Sequence, residues 1–163
     1  MSVEGLRVRV ADAADLAGVL AMERGIAEAP HWGEAEYAAI LSAGRDGSVQ
    51  RCLLVAEAAG MLLGFAVGKV IGSRAEGVAE LESVAVKAAA RRGGVGRELC
   101  GAVIAWCREH GATALELEVR AGSRGAIALY AGLRFAVAGR RAGYYREPVE
   151  DAVLMRLDLA KDE

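Results

Sequence analysis

The sequence predicts an α/β (α+β) fold, and three observations carry that prediction. Strand-period and helix-period segments interleave along the chain in the order β-α-α-β-β-β-α-β-α-β-β. At 163 residues and 54% hydrophobic, the chain is long enough to bury about two thirds of its unfolded surface in one core, without help from disulfides or metals. A glycine run, ARRGGVGREL (90–99), joins a strand to a helix. Glycine costs about 1 kcal/mol relative to alanine inside a helix, so such a run needs a reason in packing or in ligand contact. No repeat, low-complexity tract or linker interrupts the chain, and residues 1–163 read as a single domain.

The elements follow in order. LRVRV (6–10) is a short strand. Asp12 offers a helix cap, and Leu16, Val19, Leu20 and Ile26 keep helical spacing up to Pro30. After the break at His31-Trp32-Gly33, Tyr37, Ile40 and Leu41 mark a second, shorter helix ending near Gly44, and AGRDGS forms a loop. Strands are expected at 51–58, 61–71 and 78–86. Between Gly94 and His110, the spacing of Val95, Leu99, Val103, Ile104 and Cys107 describes a long amphipathic helix stopped by Gly111. ATALELEV (112–119) then alternates, with Leu115, Leu117 and Val119 on one face and Glu116 and Glu118 on the other. Ser123 is placed to cap a short helix through Tyr130. Residues 134–138 read as a strand, a polar and aromatic loop follows, and 152–159 closes the chain as a last strand.

Composition narrows the partners. A formal charge of -2 argues against a nucleic-acid binder while leaving room for a local basic patch. Cys100 and Cys107 lie about 10 Å apart along one expected helix, too far for a disulfide. No C-x-x-C or His-rich pattern suggests a metal, and MSVEGLRVRV lacks the pattern of a signal peptide, so a reducing, cytoplasmic setting is expected. The apolar stretch 53–72 contains Glu57 and Lys69 and breaks at Ala58-Ala59-Gly60, which reads as a buried β-hairpin rather than a membrane span.

A strand that enters a helix through glycines leaves main-chain N–H groups unpaired at the helix start, where the helix dipole also favours negative charge. That is a phosphate-binding arrangement, and Arg91 and Arg92 can add charge from its rim. A triphosphate loop of the G-x-x-x-x-G-K type is absent. The dinucleotide pattern fails at Leu99, although Glu116 lies at the remove expected of a ribose contact, so a nucleotide-binding domain stays open as an alternative. A structural tight turn is the plain alternative to any ligand.

Arg91-x-x-Gly94-x-Gly96, directly after Val84-Ala85-Val86 and opening a long helix, resembles the acetyl-CoA signature of the GNAT N-acetyltransferase superfamily. Leu117-Glu118-Val119-Arg120, then Ala126-Ile127-Ala128-Leu129-Tyr130, then Leu133-x-Phe135 follow in that family's order and resemble its RimI-type branch. Tyr144-Tyr145 and Glu150-Asp151-Ala152 extend the likeness, which is strong over 78–157 and faint before it. The resemblance implies a mixed, mostly antiparallel sheet of six to seven strands flanked by helices and splayed between the fourth and fifth strands. It also implies acetyl-CoA as cosubstrate and a protein N-terminus as acceptor, ribosomal proteins included. Three departures stand out: Ser123 replaces the usual Asn, Arg134 the usual Gly, and Lys87-Ala88 the usual Asp-Pro.

Residue roles come with the resemblance. The amides of Arg92, Gly93, Gly94, Val95, Gly96 and Arg97 would hold the pyrophosphate, and the edge Val84-Ala85-Val86 would pair with pantetheine and polarise the thioester carbonyl. Ser123 would stand near the pantetheine arm. Glu118 would take the amine proton and Tyr130 would protonate the leaving thiolate. Glu80 is the rival base, and Tyr144 and Tyr145, with Arg140, Arg141 and Arg146 nearby, would meet the acceptor. Each has a structural alternative: solvated carboxylates for Glu116 and Glu118, a core tyrosine for Tyr130, a solvated basic turn for the arginines. His31, His110 and Cys52 read as loop, helix-end and core residues. A lysine or small-molecule amine as acceptor, or a non-catalytic acyl-CoA-binding module, are the competing functions.

Overall fold

Seven strands hydrogen-bond into one sheet in the order β1-β2-β3-β4-β5-β7-β6. They are β1 (Arg7–Val10), β2 (Val49–Ala58), β3 (Met61–Ile71), β4 (Gly77–Val86), β5 (Ala112–Arg120), β6 (Ala136–Arg146) and β7 (Val149–Asp158). The helices are α1 (Leu16–Gly25), α2 (Glu34–Ser42), α3 (Val95–Glu109) and α4 (Arg124–Gly132). The structure, a computed structural model, describes residues 3–27, 29–42, 49–71 and 77–159. The expected α/β class and mixed sheet are present: β4 and β5 run parallel, and every other strand pair is antiparallel.

Two layers of helix cover the sheet. Leu53, Val55, Phe65 and Val67 bury against α1 and α2, while Cys52, Leu54 and Ala66 bury against α3 on the opposite face. Strands covered on both faces lose the polar alternation of a half-exposed strand, which is why 53–72 reads as one apolar run. That run is the expected hairpin, turned at Ala59 and Gly60, both at positive φ. α3 presents Leu99, Cys100, Val103 and Cys107, all fully buried, and burying four such side chains contributes on the order of 6–10 kcal/mol in transfer terms. Gly111, at φ +84, ends this helix as expected.

Four expectations need correction. Asp12 caps a 3₁₀ turn at Ala13–Asp15, with the Asp15 carboxylate reaching back to the Asp12 amide, and α1 begins only at Leu16. Ser123 stands at the start of α4, but its side chain makes no cap; its carbonyl instead accepts from the Ile127 amide at 3.0 Å. The expected loop after 138 is strand: β6 continues to Arg146, and the last strand begins at Val149 rather than 152. β6 is an edge strand that exposes nearly all of its side chains, so no buried face imprints a hydrophobic period on it, and its pairing with β7 comes from the backbone. The expected end of the second helix near Gly44 and the loop at 43–48 lie outside the described residues.

Candidate active site

The β4–β5 ladder holds only from Gly77 to Glu80 on β4, ending where Glu80 meets Glu116. Beyond that pair, β4 stays with β3 and β5 stays with β7, so the sheet splays along one side of Val84, Ala85 and Val86. A bulge at Glu82, the extra residue between Leu81 and Ser83 in the β3 register, bends β4 at this point. The splay forms an internal edge inside a continuous sheet, a site for an extended polar ligand to add its own hydrogen bonds.

Below that edge the chain turns through Ala88–Ala90 and enters α3. Arg92 (φ 66) and Gly94 (φ 85) adopt the left-handed conformation that turns successive amides the same way. Gly94 stands at the helix start with no side-chain cap, so the first amides of α3 have no intrahelical acceptor. A side chain at Gly94 would meet nothing within 4 Å, so its glycine is demanded by conformation. At Gly96 the demand is space: a Cβ would lie 3.3 Å from Leu129 of α4 and 3.8 Å from Val86. Gly93 gives its carbonyl to the Val3 amide at 3.0 Å. Arg92 and Arg97 are exposed around the turn, whereas Arg91 folds back, its Nε donating to the Val86 carbonyl at 3.2 Å.

Tyr130 lies on α4 in the core cluster against which Val84 and Val86 pack, 9% exposed, with its ring edge-on to Phe135 at 5.8 Å. Burial raises its hydroxyl well above the ordinary tyrosine range, with Cys100 and Tyr145 adding to the shift. A phenol held protonated in this way is a donor across the whole neutral range.

On the far side of the splay, a cleft of about 460 Å³ opens where the parallel ladder ends. Glu80, Glu116, Glu118, Arg141 and Tyr144 line it. Glu118 receives Arg141 Nε at 2.9 Å and interacts with the Tyr144 hydroxyl, raising the latter's pKa. Glu116 is paired with Arg156. Glu80 is held above the usual carboxylate range, first by desolvation and then by Glu82 and Glu118, against the pull of Lys69 at 3.8 Å. A second cavity, about 480 Å³ between α1 and the β2–β3 turn, is lined mainly by apolar groups such as Met22, Ile26 and Leu62 and holds none of the candidate residues.

The β6–β7 hairpin shapes the cleft mouth. Three residues, 142–144, stand against Asp151 alone, and this bulge brings Tyr144 to the cleft. The Asp151 carboxylate fills the bulge, accepting from the Gly143 amide at 2.9 Å and Arg140 Nε at 3.1 Å, and both contacts hold its pKa low. Glu150 braces the base of the hairpin, accepting from the Gly122 amide at 2.6 Å and from Arg120 at 3.2 Å. Tyr145 lies under Arg120, 4.3 Å from its guanidinium, and edge-on to Tyr144 at 5.1 Å.

The expected residues thus fall into two groups. Val84 to Val86 and residues 91–97 form the cradle, while Glu80, Glu118 and Tyr144 share the cleft; Tyr145 acts electrostatically on Tyr130 and feels Glu118 in turn, and Ser123 opens α4 without a side-chain cap. His110 closes α3, with Nδ1 2.8 Å from the Trp106 carbonyl, and His31 is an exposed loop residue at positive φ. Burial pushes the thiols of Cys52, Cys100 and Cys107 up to about 12, which removes them as nucleophiles. Sequence reasoning missed the ion chain behind the bulge: Arg51 joins Glu36 and Glu82, each at 2.7 Å, and lies over Trp32, while Lys69 joins Glu82 at 3.1 Å. No local period flags Arg51 or Lys69 on β2 and β3; they stand opposite each other only once the strands pair, and Glu36 and Glu82 come from α2 and β4. Among the described residues, no cluster of acidic, His or Cys side chains is arranged to hold a metal, and no helix is long and apolar enough to cross a membrane.

Residues 19–135 match the acetyltransferase (GNAT) family. A [Ribosomal protein bS18]-alanine N-acetyltransferase of Escherichia coli (strain K12) is 36% identical over 103 residues, which span 62% of this chain and 67% of that protein. An uncharacterized protein of Mycobacterium leprae is 37% identical over 105 residues, and there the match spans only 28% of the relative's length. Among solved structures, the ribosomal-protein-S18-alanine N-acetyltransferase of Escherichia coli superposes with a TM-score of 0.78 at 27% identity, covering 97% of this chain and 96% of that one. Ard1 of Thermoplasma volcanium gives 0.75 at 25% identity, covering 94% and 97%.

Proposed function

The chain belongs to the acetyltransferase (GNAT) family, and from that premise we propose that it is an acetyl-CoA-dependent N-acetyltransferase acting on the α-amino group of a protein N-terminus. The whole of 1–163 acts as one such domain in this reading, and its setting is cytoplasmic, in keeping with three unpaired, buried cysteines. One observation supports the reading: the splay has an uncapped, glycine-lined helix start at one end and a carboxylate-lined cleft at the other. That arrangement serves a long, diphosphate-bearing thioester on one side and an amine on the other.

Acetyl-CoA fits the cradle by its chemistry. The pyrophosphate takes the unpaired amides of 92–97 with Arg92 and Arg97 at the rim, and the pantetheine amides pair along Val84 to Val86. An amide of that edge polarises the thioester carbonyl. The acceptor's α-amino group has a pKa of about 8, so part of it is charged at neutral pH and must lose a proton before it attacks. Glu118, directly or through one water, accepts that proton. Nitrogen then bonds to the carbonyl carbon and releases its second proton to solvent as the carbon–sulfur bond breaks, and the sulfur takes the hydroxyl proton of Tyr130. Solvent returns the proton from Glu118 to the phenolate.

A protein N-terminus is preferred as acceptor because the cleft opens under the β6–β7 hairpin, whose Tyr144 and main-chain groups suit an extended peptide, and because the Escherichia coli relative is an alanine N-acetyltransferase of ribosomal protein bS18. The test is mass spectrometry of peptides incubated with the protein and acetyl-CoA. Acetylation at the α-amine is expected; modification confined to lysine side chains or polyamines would move the acceptor class, and absence of coenzyme A binding by calorimetry would remove the cosubstrate.

A further inference from the structure

The acceptor cleft contains one contact that the proposed reaction must undo. Arg141 on β6 holds Glu118 through Nε at 2.9 Å, and its guanidinium lies 5.4 Å from the Tyr144 ring centroid at the cleft mouth. The carboxylate assigned to the incoming amine therefore already carries a cation. Neighbouring arginines have other partners: Arg140 is on Asp151 and Arg120 on Glu150, neither of which lines the cleft, and Arg156 is on Glu116, a carboxylate with no role in the proposed reaction. Arg141 differs because its partner is the proposed amine receptor itself. Its side chain is 56% exposed, against 24% for Glu118, so it has solvent on its open side to turn into.

We propose that Arg141 sets acceptor specificity by cation exchange: the acceptor ammonium displaces the guanidinium from Glu118, and the released guanidinium takes a carboxylate at the acceptor's second or third residue. The substrate class is then a protein N-terminus followed closely by Asp or Glu. This rests on the reading of Glu118 as the residue that receives the amine. The planar guanidinium fork suits such an exchange, since it binds a carboxylate through two parallel N–H bonds and keeps its face on Tyr144 while doing so. An acceptor with Lys or Arg at those positions brings a third cation to the mouth and leaves Arg141 without an anion.

Three peptides identical except for Glu, Gln or Lys at the second residue test this, with kcat/KM measured for the wild type and for Arg141→Gln. The wild type is expected to favour Glu over Gln by about three- to fivefold, the range of an exposed ion pair, with Lys least favoured. In Arg141→Gln, the Glu-to-Lys ratio collapses to within about twofold, and KM for the Gln peptide falls because the competing cation is gone. Arg141→Lys, which keeps the charge but loses the fork, falls between. An equal ratio in wild type and Arg141→Gln, or no preference in the wild type, overturns the inference. Glu118→Gln on the Gln peptide separates the two levels. Full turnover there removes the premise, while loss of turnover with an Arg141-independent ratio removes only the inference. A melting curve for Arg141→Gln confirms that the variant is folded.

Discussion

The two ends of the splay are built from different materials. The cradle at the start of α3 is made of main chain: two left-handed residues, an uncapped helix start and a glycine packed under Leu129. The acceptor cleft is made of side chains: three carboxylates, each beside a cation, and a tyrosine thrown in by a strand bulge. A main-chain site is rigid, tolerates drift in the surrounding side chains, and suits a cosubstrate that never changes. A side-chain site can be retuned one residue at a time, which suits the role of acceptor site proposed for this cleft.

Variants can separate the ends. The largest effect is expected from Glu118→Gln, which should lower kcat/KM by about 10²- to 10⁴-fold, the range for loss of a positioned base. Calorimetry should show coenzyme A bound as before, and weakened binding in this variant would mean that the ends are not separable. Tyr130→Phe tests the seam. Turnover should fall by about a hundredfold with the fold kept, since burial already holds the hydroxyl as a proton donor. Equal single-turnover rates for Tyr130→Phe and wild type would return Tyr130 to a packing role. Gly94→Val attacks the main chain alone. A Cβ there meets no neighbour, so the cost is the left-handed backbone, about 1–2 kcal/mol, which predicts a coenzyme A Kd roughly tenfold higher.

The smallest effect concerns stability. Burial holds the Glu80 pKa above its unfolded value, so the folded state favours the protonated form. Its stabilising contribution is present below the unfolded pKa and is lost as pH rises through the folded one. At neutral pH the ionised Glu80 therefore opposes folding, and Glu80→Gln should melt slightly above the wild type. That gap should close as the pH drops below about 4, where the wild-type carboxyl is also neutral. A variant that melts lower at neutral pH would show that the Lys69 pair outweighs desolvation, making Glu80 a structural anchor.

Legibility followed the same division. The cradle was readable because Gly94 and Gly96 break helix propensity locally, the first where a positive φ disfavours side chains and the second where Leu129 crowds a Cβ. Glu118 was readable as one face of an alternating strand, but alternation gave Glu116 the same standing. Their different partners, Arg141 and Arg156, come from β6 and β7 across the sheet. The last hairpin was misread because β6, exposed on both faces, carries no hydrophobic period, and Ser123 was misread because a capping residue type does not dictate a capping rotamer.

By itself the sequence determined the α/β class, the element order and the glycine-lined helix start, since each depends on backbone preference or on a period within one segment. Only the tertiary structure decided where β4 leaves β5, which carboxylates share the cleft, and which cation stands against Glu118. Those are contacts between segments tens of residues apart, and no local period records which distant side chain will meet which.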